Sequence, residues 1–405
     1  MAHSTHDPMV QLLAPDGSLV PSERAEEFLP YFEQLTDDNI KRFYRDMAVI
    51  RRFDTEATNL QRQGQLALWI PSHGQEGAQV GSAHAVRPQD HVFPAYREHA
   101  VAMIRGVDVF DIIRLVRGLT HGGWNPNDPR FRNFHIYTLV IGSQSLHATG
   151  YAMGVKFDGA YATGNYETDQ AVIVYFGDGA TSQGDVHEAM VFAASQQTPQ
   201  VFFVQNNHWA ISVPVSVQAR VPLYRRADGY GMPGVQIDGN DVFASYAVTA
   251  KLMDDARQGK GPGMIEAHTY RIGAHTSSDD PTKYREDSEV EAWVARDPIV
   301  RLEAYLRDKG VEQSFFEEVA QEGADFASDI RRRIVAIENP DPRSMFAHVY
   351  SDPHPLMEEQ AAWLEKYEAS FPVDEPGATA EPPAAATADS LSANAGAISE
   401  GGDAS

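Results

Sequence analysis

Cysteine is missing altogether from the 405 residues, which excludes disulfides, thiolate metal sites and a cysteine nucleophile. Positive charge is scarce too. Lys and Arg number 33 against 57 Asp and Glu, and the net charge of −24 excludes the basic face that nucleic-acid binding requires. No apolar run approaches the ~18–20 residues of a membrane-spanning helix. The opening stretch MAHSTHDPMVQLLAPDG has neither the basic start and apolar core of a secretory signal nor the arginines of a transit peptide. A cytoplasmic protein without membrane or nucleic-acid partners is the expectation. Large apolar residues are also sparse at the C-terminal end. Residues 371–405 are rich in Ala, Pro, Ser and Gly, carry Asp374, Glu375, Glu381, Asp389, Glu400 and Asp403, and hold no Lys or Arg. Such a segment cannot offset the entropy of ordering, so a disordered acidic tail is expected there. Residues 1–35 read as a partly irregular N-terminal extension, loosely ordered over 1–25.

What is present between these ends is ordinary globular material, 42% hydrophobic and 22% charged. From Thr36 the apolar residues Ile40, Phe43, Tyr44, Met47, Ile50, Phe53, Ala57 and Leu60 recur at three- and four-residue spacing, behind a Thr–Asp start suited to capping. QEGAQVGSAHAV (75–86) and VFDIIRLVRG (109–118) predict further helices, and HGGWNPNDPRFRN (121–133) a loop. Beyond it, the apolar runs AVIVYF (171–176), QVFFVQ (200–205), GVQID (234–238) and GMIEAHTY (263–270) read as buried strands. They alternate with the helix-like DVHEAMVFAASQ and DVFASYAVTAKLMDDARQ. Apolar strands alternating with helices predict an α/β fold, a parallel sheet covered by helices on both faces, within a domain spanning 36–370. A polar loop at 274–288 and helices over 289–338 and about 355–369 complete the pattern.

Two strand ends carry the chemistry. Gly177-Asp178-Gly179 closes one buried run, and Asn206-Asn207 closes the next, with 26 residues and a helical stretch between Gly179 and Asn206. Ligands of open parallel sheets bind beyond the carboxyl ends of the strands, so a carboxylate and an amide oxygen share one crevice. A glycine turn leading into a helix suits phosphate, yet a carboxylate at its centre repels phosphate. A hard divalent cation such as Mg²⁺ between the two resolves the conflict, because it takes oxygen ligands partly from protein and partly from phosphate.

Gly-Asp-Gly followed at this distance by Asn-Asn resembles the thiamine diphosphate motif. Over about residues 36–370 the chain resembles the alpha subunit of the decarboxylating component of 2-oxo acid dehydrogenase complexes. The stretches carrying that likeness are LQRQGQLALWIPSHGQEGAQVGSA, FPAYREHAV, IGSQSLHATGYAMG, YFGDGATSQGDVHEA, VQNNHWAIS and TYRIGAHTSSDDPTKYR, in this order. The resemblance implies a thiamine diphosphate-binding fold. It assigns Asp178, the side chain of Asn207 and the main-chain carbonyl of Trp209 to Mg²⁺. Tyr96, Arg97 and Arg271 would contact the diphosphate, with Gly177, Gly179 and Ala180 forming the turn around it. Main chain near Leu139 and Ile141 would touch the aminopyrimidine, and His275 would be the catalytic histidine on a loop. Gln205 departs from some branched-chain relatives, which place an Arg there.

The activity so implied is decarboxylation of a 2-oxo acid followed by acyl transfer to lipoamide, with the cofactor supplying the electron sink. In this family the glutamate that activates the aminopyrimidine comes from a separate beta subunit. The expectation is therefore half an active site, completed in a heterotetramer of two alpha and two beta chains that serves a lipoyl-bearing acyltransferase. The RIGAHTSSDD loop favours a branched-chain substrate such as 3-methyl-2-oxobutanoate, with pyruvate as the alternative. Two readings of other kinds stand beside it. A dinucleotide-dependent oxidoreductase would use the glycine turn, but GDGATSQG lacks the G-x-G-x-x-G spacing and leaves Asn206-Asn207 without a role. A non-catalytic assembly subunit would not need Asp178, Asn207 and His275 together.

Overall fold

The computed structural model describes residues 9–119, 123–338 and 340–371. Its contacts form two compact units, Met1–Glu338 and Asn339–Ser405. The division falls inside the 36–370 stretch read from the sequence as one domain. The first unit is built on five parallel strands: β1 (His91–Phe93), β2 (Val172–Gly177), β3 (Gln200–Asn206), β6 (Gly234–Asp238) and β7 (Gly263–His268). Their order across the sheet is β1-β2-β3-β7-β6, and every neighbouring pair is parallel. Two short strands, β4 (Trp209–Ala210) and β5 (Val213–Pro214), form a separate antiparallel hairpin just after β3.

The two-residue alternation of the strands sorts their side chains onto two faces. Ile173, Tyr175, Val201, Phe203 and Ile265 join one core with Ala78, Val80 and Ala83 of the helix Glu76–Ala85 and with Val242, Phe243, Ala247 and Val248 of the helix Val242–Arg257. Val172, Val174, Phe176, Phe202 and Met264 join a second core with Ala148 and Ala152 of the helix Ser143–Phe157 and with Val186, Ala189 and Ala193 of the helix Gly184–Gln196. The sheet is thus covered on both faces, as the apolar strand runs predicted.

The long helix Asp37–Arg62 starts where expected. Asn39 donates its backbone N–H to the Thr36 hydroxyl, and the Asn39 side-chain oxygen accepts from the Thr36 backbone, a reciprocal cap. From residue 9 on, the N-terminal stretch corrects the expectation of loose order. Val10 pairs with β6, donating to the Gln236 carbonyl and accepting from Asp238, and Val10, Leu12 and Leu13 are buried in the main core. The Asp241 carboxylate accepts the Leu12 and Leu13 amides while its other oxygen caps the helix Val242–Arg257, so one side chain anchors both segments. The expected run of helices over 289–338 is three: Asp287–Val294, Pro298–Asp308 and Gln313–Val335. The second unit contains a short turn, Pro342–Phe346, and the helix Pro355–Glu368, on which the Trp363 and Tyr367 rings stack at 5.2 Å. The tail expected from 371 lies, from residue 372 on, outside the described residues. Among the described residues no helix is long and apolar enough to cross a membrane.

One buried ion pair holds the start of β1 to the rest of the sheet. Arg257 donates Nε to Asp90 at 2.9 Å and makes a second, parallel contact through Nη2, and the same carboxylate accepts the Arg87 and Ala171 amides. Removing the carboxylate leaves the buried Arg257 guanidinium with Asp254 as its remaining acidic partner and strands two backbone donors. Asp90→Ala is expected to cost about 3–5 kcal/mol, read as a lower urea midpoint at unchanged slope. A loss below about 1 kcal/mol, the range of an exposed pair, would contradict this account.

Candidate functional site

Four consecutive strands of the sheet, β1, β2, β3 and β7, deliver loops from their carboxyl ends into one place. Ala95–Glu98 follows β1, the turn Asp178–Ser182 follows β2, Asn207 and the β4–β5 hairpin follow β3, and Arg271–His275 follows β7. A cavity of about 220 Å³ opens between them. It is lined by Tyr96, Arg97, Ile141, Gly177, Asp178, Gly179, Ala180, Asn207, Trp209 and His275 among the residues singled out in the sequence. Arg271 stands behind this lining, buried, donating Nη1 to the Trp209 carbonyl at 3.0 Å and Nη2 to the Ile211 carbonyl at 2.8 Å. Leu139 is also outside the lining, and its side chain is 64% exposed.

The two short motifs occupy neighbouring strand ends, with Gly177 of β2 registered against Gln205 of β3. Asp178 is 1% exposed, accepts one hydrogen bond from Gln218 Nε2 at 3.1 Å, and is pushed up by burial to about 6. The Thr181 hydroxyl donates to the Asp178 carbonyl at 2.6 Å and fixes the turn. A Cβ at Gly179 would meet the Ala210 Cβ at 2.7 Å, so the hairpin packs closely on the turn there, whereas one at Gly177 would meet only the Gln205 carbonyl oxygen, at 4.0 Å. After Asn207 the chain reverses through two non-glycine residues of positive φ, His208 at 73° and Ile211 at 55°. Backbone held in that region marks a geometry the surroundings enforce.

Charge at the mouth is arranged around His275. Arg97 Nη2 lies 3.2 Å and Arg271 Nη1 3.3 Å from His275 Nδ1, and Arg97 Nη2 also donates to the His275 carbonyl at 3.1 Å. A guanidinium can only donate, so Nδ1 accepts and the ring proton sits on Nε2. Burial, then Arg97 and Arg271, pull His275 down to about 4, so the imidazole is neutral in ordinary buffers. Burial and the nearby Arg97 lower Arg271 to about 10, which leaves it charged.

Among the lining side chains that sequence reasoning did not single out, three are polar and incompletely partnered. Gln75, Glu98 and Gln144 each leave one buried polar atom, Nε2, Oε2 and Oε1 respectively, without a hydrogen-bond partner. Their only signal was adjacency, Glu98 to Tyr96-Arg97 and Gln75 to a helix start. Gln205, the departure noted in the sequence, is buried at the same cavity and donates Nε2 to Glu98 Oε1 at 2.5 Å. Among the described residues no cluster of three or more His, Asp, Glu or Cys could hold a metal. A site built on Asp178 would have to complete its shell with amide and main-chain oxygens.

Residues 44–331 match the family model described as dehydrogenase E1 component. The chain is 43% identical over 357 residues to the 3-methyl-2-oxobutanoate dehydrogenase subunit alpha of Mycobacterium tuberculosis, covering 88% of this chain and 93% of that one. It is 34% identical over 364 residues to the pyruvate dehydrogenase E1 component subunit alpha of Staphylococcus aureus, covering 88% and 93%.

Proposed function

Because the chain belongs to the dehydrogenase E1 component family, we propose that it is the alpha subunit of a thiamine diphosphate-dependent 2-oxo acid dehydrogenase acting on 3-methyl-2-oxobutanoate and related branched-chain 2-oxo acids. The observation that carries the site reading is the convergence of Asp178, Asn207, Arg97 and His275 on one cavity at four adjacent strand ends. The donor set suits the cofactor. Asp178, the Asn207 side-chain oxygen and the Trp209 carbonyl are all hard oxygen ligands, the kind Mg²⁺ takes. The Trp209 carbonyl already accepts from Arg271 at 3.0 Å, and its second lone pair serves the metal. Buried donors without partners, Gln75 Nε2 and Arg271 Nε, suit an anionic ligand.

In this reading Arg97 and Arg271 supply positive charge beside the diphosphate, Arg271 also offering its unpartnered Nε, together with Tyr96 and the backbone amides of Gly179 and Ala180. Main chain at Leu139 and Ile141 meets the aminopyrimidine. Thiamine diphosphate, when bound, supplies the nucleophilic carbon and the electron sink for decarboxylation. His275 offers its Nε2 proton as a hydrogen-bond donor toward the reacting oxygen, and Ile141, Phe176 and Ile211 are apolar members of the cavity lining, which would suit a branched side chain. Val140 and Leu139 are exposed beside Ile141, an apolar surface that fits cover by a beta subunit in an arrangement of two alpha and two beta chains. Acyl transfer would then pass to a lipoyl-bearing acyltransferase, in the cytoplasm.

The substrate is tested with the assembled alpha and beta chains by comparing kcat/KM on 3-methyl-2-oxobutanoate and pyruvate. A pocket shaped for the two extra methyl groups gains roughly 10–200-fold per group, so a preference of at least about tenfold for the branched acid is expected. A preference for pyruvate would make the chain a pyruvate dehydrogenase subunit instead.

A further inference from the structure

The orphaned carboxyl oxygen of Glu98 sits at the end of a hydrogen-bond chain whose direction is fixed from the backbone. The Ala100 amide donates to Gln79 at 3.1 Å, so the atom it meets is Oε1, and the other end of that side chain is the Nε2 donor. Gln79 Nε2 donates to the Arg97 carbonyl at 3.0 Å and to Gln205 Oε1 at 3.1 Å. That leaves Gln205 Nε2 to donate to Glu98 Oε1 at 2.5 Å. Oε1 is therefore the accepting oxygen of Glu98. Glu98 lines the cavity with a side chain 1% exposed, and its Oε2 is buried without a hydrogen-bond partner.

An ionised Glu98 would leave an unpaired anionic oxygen out of water, in the cavity that the diphosphate has to enter. We propose that Glu98 is held as a neutral carboxylic acid whose Oε2–H donates a hydrogen bond to a diphosphate oxygen of the cofactor. Gln205 and Gln79 act as positioning residues for that proton. The proposal rests on the reading of the cavity as a thiamine diphosphate site.

The electrostatic surroundings agree with the geometry. Burial pushes Glu98 up to about 7, against the opposing pulls of the Arg97 charge, the Gln205 hydrogen bond and the backbone at Ala95 and Arg97. The other titratable groups around it are His99 next in the chain, Tyr137, Tyr175 of β2, and Asp178 and His275 across the cavity. Tyr137 and Tyr175 are pushed up by their own burial and stay neutral, and His99 is held neutral by burial at about 4. Among the described residues Arg97 is thus the one cation acting on Glu98, and its guanidinium is already committed to the Pro71 carbonyl and to His275.

Glu98→Gln tests this directly, because a glutamine can accept from Gln205 through its oxygen and donate into the cavity through its nitrogen. Thiamine diphosphate is titrated into the alpha–beta assembly in excess Mg²⁺ at a series of pH values. Ionisation of Glu98 should weaken wild-type binding by roughly tenfold or more from about pH 6.5 to 8.5, relative to a Glu98→Gln profile that lacks this loss. Differences due to Asp178, His275 and the phosphate itself cancel in that comparison. Infrared difference spectra of the full chain without cofactor should show a protonated-carboxyl band near neutral pH that vanishes in Glu98→Gln. Parallel binding profiles, or no such band, would overturn the proposal. A wild-type assembly that fails to bind thiamine diphosphate at any pH would overturn the reading of the cavity instead, and the infrared band would still decide the protonation of Glu98.

Discussion

Asp178→Ala is expected to abolish Mg²⁺-dependent binding of thiamine diphosphate, and turnover with it, while leaving the fold intact or slightly firmer. The loss in cofactor affinity should reach at least about a hundredfold, since a divalent cation contributes several kcal/mol of charge stabilisation to such a site. Structure gives the reason for the intact fold. Asp178 accepts a single side-chain hydrogen bond, from Gln218, and its own carbonyl contact with Thr181 survives truncation. The pH dependence has a definite sign. Burial raises Asp178 from 3.8 to about 6, so its contribution to stability is whole below about 3.8 and lost as pH rises through about 6. At neutral pH, without metal, the ionised carboxylate is a liability that alanine removes. Thermal unfolding of the metal-free variant should therefore match or exceed wild type at pH 7, a stability–function trade at a binding site. Mg²⁺-dependent affinity retained in the variant would contradict the ligand assignment.

His275→Ala is expected to lower acyl transfer to lipoamide by about 10²–10⁴, the usual worth of a positioned proton donor, with cofactor affinity nearly unchanged. Both arginines keep partners without the imidazole: Arg97 still donates to the main-chain carbonyl of residue 275, and Arg271 to those of Trp209 and Ile211. Because the imidazole is held down to about 4, its stabilising contribution as a neutral ring is complete above its ordinary 6.5 and is lost as pH falls through about 4. The pH profile of turnover should accordingly carry no His275 limb between about pH 6 and 8. Unchanged turnover, or a loss of cofactor binding equal to the loss of rate, would count against the assigned role.

How far the sequence could be read follows from what each element depends on. The helix Asp37–Arg62 and strands β2 and β3 announce themselves, because their burial is written in local periodicity and in a cap. Asp178 and Asn207 were legible for the same reason, since they stand at the ends of those strands. β1 is three residues long, too short for any period, and exists through its pairing with β2 some eighty positions later. The helix Ser143–Phe157 packs through small residues such as Ala148 and Ala152, which carry little hydrophobic signal. Val10 is ordered by a contact with β6, a non-local pairing that no local pattern encodes. Among the site residues, Gln75, Glu98 and Gln144 were missed because a neutral or neutralised polar side chain looks the same in sequence whether it faces water or a buried cavity. Leu139 was named for its main chain, and its side chain is exposed and outside the cavity lining.

The central claim is that Asp178 holds the metal that holds the diphosphate. Crystals of the alpha–beta assembly grown with thiamine diphosphate and Mn²⁺ in place of Mg²⁺ test it most directly, through the anomalous signal of the metal. The account predicts one peak within about 2.0–2.3 Å of an Asp178 carboxylate oxygen, the Asn207 side-chain oxygen and the Trp209 carbonyl, bridging to the diphosphate. A metal bound elsewhere, or a diphosphate held in this cavity with no metal on Asp178, would contradict it.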